Sequence, residues 1–339
     1  MRFENVAIVG LETVNAPHAV SSSTLMERLS GTFQHMELRP DLLENVAGIR
    51  SRHFWDEGTA PSDAATLAAT KVLNTTGVPK ENLQLLINAS VCRDYLEPST
   101  ACIVHGNLGL SLECQSFDLG NACLAFVNAM DVAANMIERG AIKNAIIVDG
   151  ETSRLVTEKT IERLNHPDAT EQDVREQFAA LTLGSGSVAM IMGHADDYPD
   201  CTHRYLGGVS LAATQHSKLC RGNMDWMVTD TRKLLFAGIE LASMTWIKAQ
   251  RELGWSADVL DELVLHQVSK VHTQSLLNAL QLDMERSHLI FPEYGNLGPA
   301  SVPFVLSQSA ELGRIQEGSR VALMGIGSGL NCTMAEVLW

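Results

Sequence analysis

The chain has 339 residues, enough for one large duplicated domain or about two of ordinary size. Hydrophobic residues make up 45% of it and charged ones 19%, a balance that supports a large buried core, and no apolar run reaches the roughly 18 residues of a membrane span. The formal net charge of −15 argues against nucleic acid as a partner, because phosphate backbones need a basic surface, yet leaves room for one small phosphorylated ligand held by a few local cations.

Residues 1–5 lack the apolar core of an export signal and pass directly into a strand-like stretch at 6–10, so a cytoplasmic setting is expected. Residues 21–50 read as helix and loop, 63–77 as an alanine-rich helix stopped by Gly77, and 83–89 as a strand covered on both faces. The polar loop Arg93-Asp94-Tyr95-Leu96-Glu97-Pro98-Ser99-Thr100 follows, then a short helix through Val104, a strand ending near Phe117, and another buried strand at 145–150. The stretch 153–181 is more polar, helical or irregular, and strand character returns at 187–192. Beyond a junction near residue 200 come a strand at 207–213, a long amphipathic helix at 231–254, a strand at 263–266, a helix at 271–280 and closing strands at 321–324 and 332–338. Alternating apolar strands and helices predict an α/β fold with helices on both faces.

Gly120-Asn121, Ser90 and Val148-Asp149-Gly150 are echoed in the same order, at nearly equal separations, by Gly295-Asn296, Ser269 and Met324-Gly325. This predicts two duplicated halves, 1–195 with an insertion at 153–181 and 196–339, whose loop ends meet at one cleft. Seven cysteines (Cys92, Cys102, Cys114, Cys123, Cys201, Cys220, Cys332) form an odd set without a C-x-x-C pair, so reduced thiols and no zinc site are expected. Neither a Walker loop nor G-x-G-x-x-G is present.

In Asn121-Ala122-Cys123-Leu124-Ala125-Phe126 a thiol precedes a helix marked by Val127, Met130, Ala134 and Ile137 and stopped by Arg139-Gly140. Unpaired N–H groups and the macrodipole at a helix start favour a thiolate, a nucleophile; a cysteine taken alone is more commonly a small buried apolar residue. Two further segments are His266-Gln267-Val268-Ser269 and Tyr294-Gly295-Asn296-Leu297-Gly298-Pro299-Ala300-Ser301-Val302-Pro303. With Gly184-Ser185-Gly186-Ser187 and Gly325-Ile326-Gly327-Ser328-Gly329, they closely resemble the thiolase superfamily, specifically its β-ketoacyl-[acyl-carrier-protein] synthase III group, over essentially the whole chain. The resemblance implies a five-layered αβαβα thiolase fold of two similar halves, a homodimer, and an active site of Cys123, His266 and Asn296. It also implies that Cys123 carries the acyl group, that the backbone N–H groups of Cys123 and Ser328 form the oxyanion hole, and that His266 and Asn296 donate to the thioester oxygen of the second substrate.

One position departs from synthase III. Where that group carries a phenylalanine that crosses the dimer interface, this chain has Glu97-Pro98-Ser99. A carboxylate lent to the partner's acyl pocket is poorly solvated, so its pKa is expected to rise toward that of a general base. Decarboxylation of malonyl-ACP makes such a base unnecessary; deprotonating an ordinary acyl thioester requires one. With Asp94-Tyr95-Leu96-Glu97-Pro98-Ser99-Thr100 and Gly327-Ser328-Gly329-Leu330-Asn331, the likeness narrows to the acyl-CoA condensing enzymes of bacterial long-chain olefin biosynthesis. It then implies non-decarboxylative head-to-head Claisen condensation of two long-chain fatty acyl-CoAs to a 2-alkyl-3-oxoalkanoate. Coenzyme A enters only as part of the substrate, with no other cofactor and no metal, and downstream olefin-pathway enzymes are the candidate partners. The Trp and Arg that hold CoA in synthase III map to Leu42 and Val46, so CoA must be held differently, with Arg221 as the candidate contact. Met224, Met227 and Met244 are candidates for lining alkyl channels. The competing readings are a decarboxylating 3-oxoacyl-ACP synthase III, an acyl-CoA thioesterase or other Cys-His-Asn hydrolase, and a silent acyl-binding subunit; the C-G-S-C-W context of papain-like proteases is absent.

Overall fold

The computed structural model describes residues 1–39 and 41–339; Pro40, within the 21–50 stretch, lies outside the described residues. Nine strands follow one another in a continuous order: Glu262–Leu265, Arg320–Gly327, Asn331–Leu338, Arg204–Ala212, Val6–Asn15, Gly186–His194, Asn144–Glu151, Leu85–Asn88 and Gln115–Asp118. The pair Ala7↔Arg204 joins two halves that repeat each other. In one half Leu85–Asn88 runs parallel to Asn144–Glu151, which runs antiparallel to Gly186–His194, itself antiparallel to Val6–Asn15. In the other, Glu262–Leu265, Arg320–Gly327, Asn331–Leu338 and Arg204–Ala212 repeat that order and those directions.

Helices Ala125–Glu138 and Ser301–Glu311 lie between the halves and pack on strands of both. Their apolar faces share one core with Val6, Ile87 and Val188 of the first half and Val264, Leu323 and Val337 of the second. Helices Pro61–Thr76 and Thr100–Leu108 cover the outer face of the first half, and Thr231–Leu253 and Lys270–Leu280 that of the second. Helix, sheet, helix, sheet, helix is the five-layered αβαβα arrangement. Its parallel strands are buried on both faces, which is why Leu85-Leu86-Ile87 and Leu263-Val264-Leu265 read as unbroken apolar runs.

Local signals explain most boundaries. Gly77 and Gly254 end their helices with φ of 67° and 69°, left-handed values that glycine adopts without strain. The helix after the 93–100 loop extends beyond Val104, through Leu108 to Gly109. The 153–181 stretch folds as helices Arg154–Leu164 and Glu171–Gln177, which pack through Ile161, Leu164 and Val174 on Leu25, Leu29 and Phe33 of the first helices. Two small antiparallel pairs, His18–Ser21 with Ser51–Phe54 and the hairpin Cys220–Gly222 with Met227–Thr229, gave no clear pattern in the sequence. No described helix is long and apolar enough to cross a membrane.

Candidate active site

A cavity of about 800 Å³ opens between the halves, and its walls are predominantly apolar. Cys123, His266, Asn296 and Ser328 meet on its lining, although they come from four separate segments, and Arg221 lies on the same lining.

Cys123 sits two residues before helix Ala125–Glu138, after Ala122 with φ of 46°. That left-handed turn closes through Leu124 N–H to Asn121 C=O at 3.0 Å and Ala125 N–H to Ala122 C=O at 3.1 Å. The Asn121 side chain fastens the turn on both sides. Its amide donates to Asn128 Oδ1 at 2.6 Å, and its oxygen accepts from Asn331 Nδ2 at 3.1 Å. Gly327 ends its strand directly over this turn: a methyl group built there would stand 3.4 Å from the Cys123 nitrogen and 3.2 Å from Leu124 Cγ. The Gly327-Ser328 backbone therefore lies beside the Cys123 N–H.

The charge state of the thiol differs from the sequence expectation. Burial, the neighbouring Cys220 and the carboxyl groups of Glu151 and Asp149 push Cys123 up to about 12. A helix end favours the thiolate by a fraction of a charge, but desolvation and two acidic groups outweigh it. At rest Cys123 is a neutral thiol.

His266 is the first residue beyond strand Glu262–Leu265, and its N–H continues the ladder to Met324 C=O at 2.8 Å. It is 5% exposed, and neither ring nitrogen has a hydrogen-bond partner. Burial, with His272 beside it, brings its pKa down to about 3 against a slight opposing pull from the Asn296 side chain, so the ring is a neutral imidazole. Gln267 locks the segment in place: its oxygen accepts from the N–H groups of Ile290 (2.8 Å) and Phe291 (3.2 Å), and its amide donates to His288 C=O at 2.6 Å. Asn296 follows Gly295, whose φ of 67° and ψ of −158° suit only glycine. Asn296 pairs through its backbone with Thr182 C=O and Gly184 N–H, both at 2.9 Å. Its Oδ1 accepts from Gly298 N–H at 2.9 Å; that donor can bond only the oxygen, so the amide NH2 group is the end left for a ligand.

Glu97 is not brought to this cavity in its own chain. It is exposed, beside Leu96 and Tyr95, which are 96% and 62% exposed. The loop beneath it is fastened instead. Asp94 accepts from Ser62 Oγ at 2.6 Å and Thr100 Oγ1 at 2.8 Å. Asp118 accepts from Thr100 N–H at 3.1 Å and Ala101 N–H at 2.8 Å and pairs with Arg93 at 3.3 Å. Residues 95–98 thus form a projecting tip on a fixed base.

Leu42 and Val46 line the cavity as apolar wall, and helix Glu171–Gln177 with the turn after it adds Val174, Phe178 and Ala179. Of the three methionines, Met227 alone lines it: Met224 Sδ accepts from Arg93 N–H at 3.4 Å, and Met244 is exposed on the outer helix. Arg221 stands at the rim with Arg175, Lys218 and Arg232. Sequence reasoning missed Asn121, Gln267, Asp149 and Glu151; the last two were visible as acids ending the otherwise apolar strand Asn144–Glu151. No cluster of three or more His, Cys, Asp or Glu among the described residues is arranged to hold a metal ion.

Residues 117–203 match the 3-oxoacyl-[acyl-carrier-protein] synthase III family, and residues 251–339 match its C-terminal part. The chain is 53% identical, over the full length of both proteins, to the acyl-CoA:acyl-CoA alkyltransferase of Xanthomonas campestris pv. campestris. It is 34% identical to the enzyme of the same name from Shewanella oneidensis, again covering all of both chains. Among solved structures, a cysteine-to-serine variant of Xanthomonas campestris OleA with bound lauric acid and lauroyl-CoA superposes with a TM-score of 0.97 at 53% identity, over 99% of this chain and 100% of that one. The chain belongs to the 3-oxoacyl-[acyl-carrier-protein] synthase III family and, within it, to the acyl-CoA:acyl-CoA alkyltransferases.

Proposed function

We propose that the protein joins two long-chain fatty acyl-CoAs head to head, without decarboxylation, to give a 2-alkyl-3-oxoalkanoate. The observation that carries this reading is the predominantly apolar cavity whose lining brings half-buried Cys123 together with His266 and Asn296. In the first step Cys123 attacks the thioester of one acyl-CoA, its proton passes to the departing sulfur, and free CoA leaves an S-acyl cysteine. Because the thiol is neutral, its proton is lost as the sulfur–carbon bond forms rather than beforehand.

In the second step the partner's Glu97 takes a proton from the α-carbon of another acyl-CoA. Neutral His266 and the Asn296 NH2 group donate to the enolate oxygen; an imidazole brought to about 3 remains a donor without giving its proton away. The carbanion attacks the acyl carbon on Cys123. The N–H groups of Cys123 and Ser328 hold the resulting oxyanion, each such donor contributing about 3 kcal/mol. Collapse returns the sulfur, which recovers the proton from Glu97, and hydrolysis of the remaining thioester releases the second CoA. These steps use only side chains, backbone donors and water, with CoA as part of the substrate.

Exposure of the Tyr95–Leu96–Glu97 tip on a fastened base supports a homodimer in which each protomer lends Glu97 to the other. Lys218, Arg221 and Arg232 at the cavity mouth, set among Glu171, Glu176 and Asp230 with Arg175 paired to Glu171, support phosphate binding for CoA there. The repeat of strand order supports a division between residues 195 and 196. Release of an amphiphilic 3-oxo acid calls for a downstream enzyme that reduces the ketone in an olefin pathway.

Incubation with myristoyl-CoA alone, followed by mass spectrometry, tests the reading. A 2-alkyl-3-oxo acid, or the ketone it forms on losing CO2, is expected. Fatty acid and CoA as the sole products would assign a thioesterase, and dependence on malonyl-ACP a decarboxylating synthase. Glu97→Ala is expected to acylate Cys123 yet form no carbon–carbon product.

A further inference from the structure

Glu97 projects on a loop whose root is held from within the fold. Two carboxyl groups absent from the mechanism lie there. Strand Asn144–Glu151 ends with Asp149 and Glu151, 0% and 5% exposed, and neither lines the substrate cavity. Buried acids are costly to fold around, so their contacts are informative.

Glu151 touches two working parts of the molecule. Its Oε1 accepts a 2.6 Å hydrogen bond from Val91 N–H, at the root of the loop that carries Glu97, and the buried Cys92 thiol and backbone lie against the same carboxylate. On its other side the carboxyl group closes on Gly298, where a built methyl would stand 3.6 Å from Cδ and 3.8 Å from Oε2. Gly298 N–H is the donor that orients Asn296 Oδ1. The Trp55 indole N–H donates to Glu151 C=O at 3.1 Å and steadies the strand end. Asp149 has no hydrogen-bond partner for either carboxyl oxygen, and burial with the adjacent Glu151 pushes its pKa well up; burial raises Glu151 as well, against the opposing donors from Cys92 and Val91.

We propose that Glu151 is a positioning residue for the condensation step, tying the root of the Glu97 loop to the turn that carries Asn296. The proposal rests on Glu97 acting as base in the partner's site. In that arrangement one side chain fixes the base lent to one active site relative to the enolate donor of the other.

The test uses the full-length enzyme and myristoyl-CoA, following acyl-Cys123 by intact mass and condensation by product formation. Glu151→Asp keeps the carboxyl group but withdraws the acceptor by one methylene; Glu151→Gln keeps the length and an acceptor oxygen. Glu151→Asp is expected to acylate at the wild-type rate while kcat for condensation falls about 10–100-fold with KM little changed, and Glu151→Gln to recover most of that loss. Hydrogen exchange in the wild-type enzyme needs no variant to fold: the Val91 amide is expected to be protected. Rapid exchange there, or wild-type condensation by Glu151→Asp, overturns the proposal. Glu97→Ala run in parallel separates the two readings. If it condenses normally, the base assignment falls and this proposal with it; if it is inactive while Glu151→Asp is normal, this proposal alone falls.

Discussion

A half-buried thiol among acids makes Cys123 an unusual cysteine, and its titration is directly measurable. Because burial, Cys220, Glu151 and Asp149 all raise it, iodoacetamide labelling of Cys123, resolved by peptide mass spectrometry, is expected to climb beyond pH 9 instead of levelling near the ordinary thiol value of about 8.5. Cys220→Ser removes the neighbour that, after burial, raises Cys123 most and is expected to move the climb to lower pH; an unmoved profile would separate the two thiols. The buried imidazoles make a second prediction. His266 and His272, brought down to about 3 and about 4 by burial, stay neutral in the fold, whereas in the unfolded chain they protonate near the ordinary histidine value of about 6.5. The unfolded state therefore binds more protons between those values, so this contribution to stability is present above about pH 6.5 and is lost as pH falls. Denaturant midpoints are expected to drop less between pH 7 and 5 in His272→Gln than in wild type, the difference isolating His272 from carboxyl groups that titrate in the same range. At this scale motifs in the sequence singled out Cys123, His266 and Asn296, which the fold brings to one cavity. It misjudged the charge on the thiol, because the helix end is local whereas Asp149, Glu151 and Cys220 arrive from other segments.

At the scale of elements, the turn into Asn296 shows how a backbone constraint sets a donor. Gly295 lies so close to the 182–184 segment that a built Cβ would stand 2.6 Å from Thr182 C=O, in a backbone region that side chains avoid. Gly295→Ala must shift the Asn296 turn off its pairing with Thr182 and Gly184. We expect a loss of about 1–3 kcal/mol in denaturant unfolding together with slowed condensation; unchanged stability would mean that the turn relaxes at no cost. The strands and helices around this turn were legible because periodicity and glycine stops are local signals. The hairpin Cys220–Gly222 with Met227–Thr229 was not, since three-residue strands carry too little alternation, yet it sets Cys220 and Met227 on the cavity lining. Methionine content likewise misled: only position along the fold, not residue type, separates Met227 at the cavity from Met244 on an outer helix.

At the scale of the whole molecule, the duplicated halves explain how Cys123, His266 and Asn296 reach one cavity within one chain, while the proposed base stays outside it. Equivalent strand ends and helix starts converge between the halves, so Cys123, His266 and Asn296 meet without a partner, while Glu97 projects from the surface on a fastened loop. If each site draws its base from the sister protomer, damage to the nucleophile and damage to the base must complement. Cys123→Ser retains Glu97 and Glu97→Ala retains Cys123; a mixed dimer then assembles one intact site, from the thiol of one chain and the carboxylate of the other, and one site lacking both. After unfolding and refolding of the two inactive variants together, random pairing gives mixed dimers as half the population, each half active, so condensation is expected to return to about a quarter of the wild-type rate. Separate refolding of each variant supplies the baseline. A base acting within its own chain leaves every pairing without an intact site, and the mixture would stay at that baseline.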